Sequence, residues 1–234
     1  MKARAPSRFG ETWVYESIVS ALPGVDLSER QAIALQVGLF EAAVLGFAAV
    51  YGLWTAAAAG TAAVLVAAAG SVAMLRIGET TRRVDAPESY RRLLFGSSIE
   101  VVLAVLAFVA LVTHLFVFDP RQSVTPLFRT LFGPEPPVVV VYLTLLVLWD
   151  LCYRIGTSWW AAVVALWRSL RFRFDARTAA DLRRTDRINV AFALVQVLLL
   201  PFLRDQPVLL VAVAGHVVAV TVVSTTAFVL VREE

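Results

Sequence analysis

One cysteine and two histidines are all that the 234 residues carry of those types, and lysine occurs once against twenty arginines. Cys152 lies alone inside an apolar run, so the chain forms no internal disulfide and supplies no Cys-rich metal site. His114 and His216 share no metal-ligand spacing with each other or with a carboxylate, and no metal or other cofactor is expected. Patterns of the GxSxG, HExxH, GxGxxG and Walker A type are also missing, so the chain is not expected to be an enzyme. The first thirty residues hold Lys2, Arg4, Arg8, Glu11, Glu16, Asp26, Glu29 and Arg30 and no continuous apolar core. No cleavable signal peptide is therefore expected, and the first span serves as its own insertion signal. No residue-level repeat relates one part of the chain to another, which leaves an inverted-repeat transporter plan without support.

What is present is hydrocarbon. The hydrophobic content is 59% and the mean hydropathy +0.75, against roughly 45–50% apolar residues in a soluble domain. The pattern predicts an all-α polytopic bundle of six spans, residues 32–54, 55–75, 98–118, 138–160, 188–203 and 208–231, following an N-terminal segment over residues 1–30. Together the spans make one transmembrane domain, residues 31–232. Within the N-terminal segment, Glu11 to Leu22 places Trp13, Val14, Ile18, Val19 and Leu22 near one helical face before Pro23-Gly24. This fits a short helix lying in the interface, or one packed on the inner loops. Asp26, with Glu29 three residues on, signals the start of span one. Asp85 and Glu88 repeat that spacing before a short inner helix to about Phe95, ended by Gly96. Asp119-Pro120 is expected to break span three. Span four stays helical in character to Trp167, as one long helix or broken at Gly156-Thr157-Ser158, and Pro201 is a candidate kink in span five.

Seventeen of the twenty-one basic residues fall in the N-terminal segment, the two loops after spans two and four, and the C-terminus. Basic loops resist translocation, so that bias predicts both termini on the cytoplasmic side of the cell membrane and three consecutive hairpins. It also accounts for the net charge of +3 and the pI near 9.4 without nucleic acid, which is not an expected partner. The expected partners are the lipid bilayer and a second copy or another protein, while Ala59, Ala63 and Ala67 make a face on which helix backbones approach closely. Trp159, Trp160 and Trp167 suit an interfacial belt, with Arg168 and Arg171 among the headgroups.

Ionisable residues at mid-bilayer are costly and face a partner or a hydrated cavity. Asp150 and Arg154 in span four are one helical turn apart, on the same face, and are expected to form an intramembrane ion pair. Such a pair either locks helix packing or forms part of an ion or proton path. Glu41 in span one, with Gln36 before it, has the least evident partner among the carboxylates; it neutralises Arg154, stays protonated or lines a pore. Glu100 reads instead as a capping residue in Ser97-Ser98-Ile99-Glu100. His216, His114 and Gln196 are secondary candidates, the two histidines read first as hydrogen-bonded packing residues.

The arginine bias and the abundance of Ala and Val fit a GC-rich genome. Gly10 to Glu16, Tyr90 to Ser98 and Trp149 to Trp160 resemble an uncharacterised family of haloarchaeal integral membrane proteins, over most of the chain. The resemblance implies a cytoplasmic membrane in a high-salt cell, where exposed charge pairs are heavily screened and a buried pair such as Asp150 and Arg154 much less so. It implies no activity. The functional expectation is a non-catalytic membrane scaffold or partner-binding subunit, with an ion or proton channel or transporter using Asp150, Arg154 and Glu41 as the alternative.

Overall fold

A computed structural model describes residues 12–13, 28–122 and 126–234. The helix expected over Glu11 to Leu22 lies outside the described residues except for Thr12 and Trp13, and Asp26 lies outside them too. Among the described residues, six helices are long and apolar enough to cross a membrane by length and composition. The chain is read here as a multi-pass membrane protein on that basis. The elements are α1 (Glu29–Tyr51), α2 (Trp54–Arg83), α3 (Glu88–Phe95), α4 (Ile99–Thr113), a π-helical turn (His114–Phe118), α5 (Asp119–Gln122), α6 (Leu127–Phe132), α7 (Val138–Arg171), β1 (Arg173–Phe174), α8 (Ala176–Val195), a 3₁₀ segment (Gln196–Leu203), α9 (Pro207–Leu230) and β2 (Arg232–Glu233).

The helix ends follow local hydrogen bonding and correct several sequence expectations. Ser28, not Asp26, caps α1: its hydroxyl accepts from the Gln31 N–H, and the Gln31 side chain accepts from the Ser28 N–H at 2.9 Å. A Ser–Gln capping box thus satisfies two backbone donors that the Asp26 spacing would have left to water. Gly52, left-handed at φ 69°, stops α1, so Trp54 opens α2 instead of closing span one. Helix α2 runs on past Leu75 to Arg83. Pro87 occupies the cap of α3 without a side-chain bond, so the Asp85 box does not form, whereas α3 ends at Phe95 with Gly96 as its cap, as expected.

Asp119-Pro120 does not break the third span. The π turn over His114–Phe118 hands the chain to α5, and the Asp119 N–H bonds to the carbonyl of His114. Pro120 then falls in the first turn of a new helical segment, where a missing N–H costs nothing. Span five begins twelve residues before the expected Ile188, at Ala176. The Asp175 carboxylate accepts from the Arg177 and Thr178 N–H groups at 2.9 and 3.0 Å and starts α8 there, which shrinks the basic inner loop to a tight turn. From Gln196 the backbone tightens to 3₁₀ geometry around Pro201.

Asp175 is exposed, and its bonds from Thr178, then from Arg177, hold its carboxyl below the usual range. A depressed folded value stabilises the fold above the unfolded carboxylate pKa, and that contribution is lost as pH falls through the folded value. Acid titration of α8 stability should therefore show a component in wild type that disappears in Asp175→Asn; identical acid profiles would refute this.

Helix α1 packs on α2, α4 on α7, and α8 on α9, while α7 touches α2, α4, α8 and α9 and so forms the spine. It is one unbroken helix of 34 residues through Gly156, roughly 51 Å long at 1.5 Å per residue. Gly156 does not break α7; it lets α4 approach. A Cβ there would lie 3.0 Å from the Ala104 nitrogen and 3.3 Å from the Glu100 carbonyl oxygen, both rigid backbone atoms. Gly156→Ala should accordingly separate α4 from α7 and lower the thermal midpoint clearly, although alanine is the better helix former. An unchanged or raised midpoint would count against the close approach.

Candidate functional site: buried charges along α7

Asp150 and Arg154 project from the middle of α7 on one face, as their four-residue spacing requires. The Arg154 Nη2 donates to Asp150 Oδ1 at 3.0 Å, with the side chains 3% and 11% exposed for Arg154 and Asp150. Gln36 of α1, 114 residues away, donates its Nε2 to the other carboxylate oxygen at 3.2 Å. Room for the arginine comes from α2. A Cβ on Gly70 would lie 2.8 Å from Arg154 Cβ and from Phe192 Cζ, so only hydrogen fits where the arginine stem crosses. Beside the carboxylate is a cavity of about 10 Å³ bordered by Gln36, Ser71 and Asp150, the space of roughly one water molecule.

Glu41 is placed one helical stretch further along α1, half-buried, where its Oε1 accepts from the Thr61 hydroxyl of α2 at 2.6 Å. The structure thus brings Gln36 to Asp150, and ties Glu41 into the α1 and α2 seam.

A second ion pair was not visible in the sequence. Arg168, expected among the headgroups, is 1% exposed, and its Nη2 donates to Asp186 Oδ2 of α8 at 2.7 Å. The same nitrogen donates to the Leu182 carbonyl at 3.2 Å, and the guanidinium carbon lies 5.5 Å from the centre of the Tyr90 ring of α3. Helix α3 is held to α7 a second time by Trp160, whose Nε1 donates to the Leu93 carbonyl at 3.1 Å, so this tryptophan is a tether and not a free belt residue. Trp13 packs edge-on against Phe95 at 4.9 Å, and β1 pairs in parallel with β2, bringing Arg232 beside Arg173. Trp13, the loop after α2, the turn after α7 and the end of α9 therefore gather at one pole.

Between the two ion pairs runs a neutral relay. Ser158 of α7 donates to Asn189 Oδ1 at 2.8 Å, and the Asn189 amide donates to the Ser158 carbonyl at 3.1 Å and the Ser224 hydroxyl of α9 at 3.0 Å. One amide stitches three helices, an arrangement suited to a medium where unmet polar groups have no water to turn to.

Glu100 departs furthest from its expected role. Ser98 caps α4 in a left-handed conformation, φ 53°, without a side-chain bond, and Glu100 makes no capping box there. It is fully buried and neither carboxylate oxygen has a hydrogen-bond partner. Gln196 is also fully buried with both amide atoms unbonded; His216 stands 6.4 Å from the Trp159 ring with its Nε2 unbonded, as is that of His114. Among the described residues, no three His, Cys, Asp or Glu side chains come together in a way that could hold a metal ion.

The sequence family described as "Family of unknown function (DUF7530)" matches residues 8–227. No curated protein matches the chain. No solved structure matches it either.

Proposed function

We propose, for a chain that belongs to the DUF7530 family of unknown function, a six-span protein of the cell membrane that works as a non-catalytic scaffold or partner-binding subunit. In this reading the spans form three consecutive hairpins and both termini are cytoplasmic, as the basic residues favour. The observation that carries the reading is the state of Asp150. Its carboxylate is closed by Arg154 and Gln36, with room for about one water beside it, whereas a permeation site needs exchangeable, hydrated positions. The long helices leave apolar outer faces, such as Leu35 and Leu39 of α1 and Val102 and Leu106 of α4, for lipid, a second copy or a protein partner.

The permeation alternative draws on the polar border of that small cavity, where Gln36 and Ser71 meet Asp150, and on Glu41 nearby in sequence. Ion and proton flux into liposomes separates the two. Wild type, Asp150→Asn and Glu41→Gln, at matched incorporation, should all match protein-free liposomes. Flux in the wild type that either substitution abolishes would establish a pathway and end the scaffold reading.

A further inference from the structure

The other end of α7 holds a space that none of the charged groups uses. Thr144 lies roughly 36 Å along the helix from Arg168 at 1.5 Å per residue, and beside it is a cavity of about 170 Å³. It exists because α2 presents Ala56, Gly60 and Ala63 there, residues too small to fill the gap between α1, α4 and α7. Every lining residue except Thr144 is apolar, and the Thr144 hydroxyl already donates to the Val140 carbonyl at 2.8 Å. Water entering would find almost no hydrogen-bond partners, so the space excludes it; dry cavities on the order of 150 Å³ with such linings take up small hydrocarbons. Left empty, it would forfeit dispersion contacts on every wall.

Two further features indicate what fills it. Phe47 and Leu111 at the rim are only half-buried, so the cavity opens between apolar spans, toward hydrocarbon. Its roof is α6, held by Asp119, whose Oδ2 accepts from the Leu127 N–H at 2.6 Å. Phe128 of α6 is buried and lines the cavity, while Arg129 beside it is exposed. The roof thus carries an exposed cation one residue from a side chain that lines an apolar chamber, a combination that matches the phosphate and the acyl chain of one molecule. We propose that this cavity is a lipid site that seats one hydrocarbon chain of an anionic phospholipid, with its phosphate at Arg129.

The test uses the full chain in phosphatidylcholine vesicles doped with phosphatidylglycerol that carries a photoreactive diazirine on one acyl chain. Cross-linked positions are mapped by mass spectrometry. Labelling of Phe128 and Leu111 should equal or exceed that of Val102 and Leu106, which face outward on α4 and report ordinary annular lipid. Ala63→Leu and Val140→Phe, which fill the cavity from different helices, should each cut the Phe128 labelling severalfold and leave the labelling of Val102 and Leu106 unchanged. Arg129→Gln should lower the Phe128 labelling too. Wild-type labelling confined to Val102 and Leu106 would overturn the proposal, even if both filled variants fail to fold. Cavity labelling that survives both substitutions, or that ignores Arg129, would also overturn it. These outcomes are independent of the flux result, because a scaffold and a channel could each carry the site.

Discussion

Asp186→Ala is expected to cost about 3–5 kcal/mol of stability. Arg168 is 1% exposed and its strongest bond is the 2.7 Å contact with Asp186. Removing the carboxylate leaves a guanidinium that cannot shed its proton, with only the Leu182 carbonyl and Tyr90 to compensate. The double replacement Arg168→Met with Asp186→Leu removes both charges and should recover most of the loss, since apolar packing replaces a buried pair at little net cost. Arg168→Lys alone should lose stability as well, because an ammonium cannot reach Asp186, the Leu182 carbonyl and Tyr90 together. Thermal unfolding in a single detergent would measure all four proteins. An Asp186→Ala midpoint close to wild type, or a double variant no better than the single, would show that the pair is not the lock described.

The second large effect is an asymmetry within the Asp150 and Arg154 pair. Asp150→Leu takes from the buried Arg154 guanidinium the carboxylate it donates to at 3.0 Å and should cost about 3–5 kcal/mol. Arg154→Met leaves Asp150 its bond from Gln36, so the loss should be smaller. The joint change to Leu and Met should fall well short of the sum, giving a coupling on the order of 2–3 kcal/mol in a double-mutant cycle. Equal single losses that simply add would mean the two groups act separately, and would return Asp150 to consideration as an independent site.

These two pairs also mark how far the sequence could be read. Asp150 and Arg154 were legible because helix geometry alone sets residues four apart on one face. The long apolar runs likewise located six helices. Asp186 was not legible: its partner is 18 residues away, across a turn that looked like a long loop until Asp175 was seen to cap α8 at its own start. Gln36 meets Asp150 across 114 residues, a contact only tertiary packing decides. Glu100 misled for a different reason. Its spacing satisfied a capping rule, but Ser98 took a left-handed conformation without a side-chain bond, and the Glu100 side chain is fully buried.

The amide of Asn189 has a bearing on how the chain is made. Translation proceeds from α7 to α8 and then α9, yet Ser158 finds its partner only when Asn189 has emerged, and Asn189 completes its bonds only with Ser224. During that interval Ser158 lacks Asn189 and Arg168 lacks Asp186, so the insertion of α7 alone does not leave it settled. Arrival of α9 ends the exposure, which makes the biogenesis of this bundle a process completed from its C-terminal half, with the earlier spans waiting on the later ones.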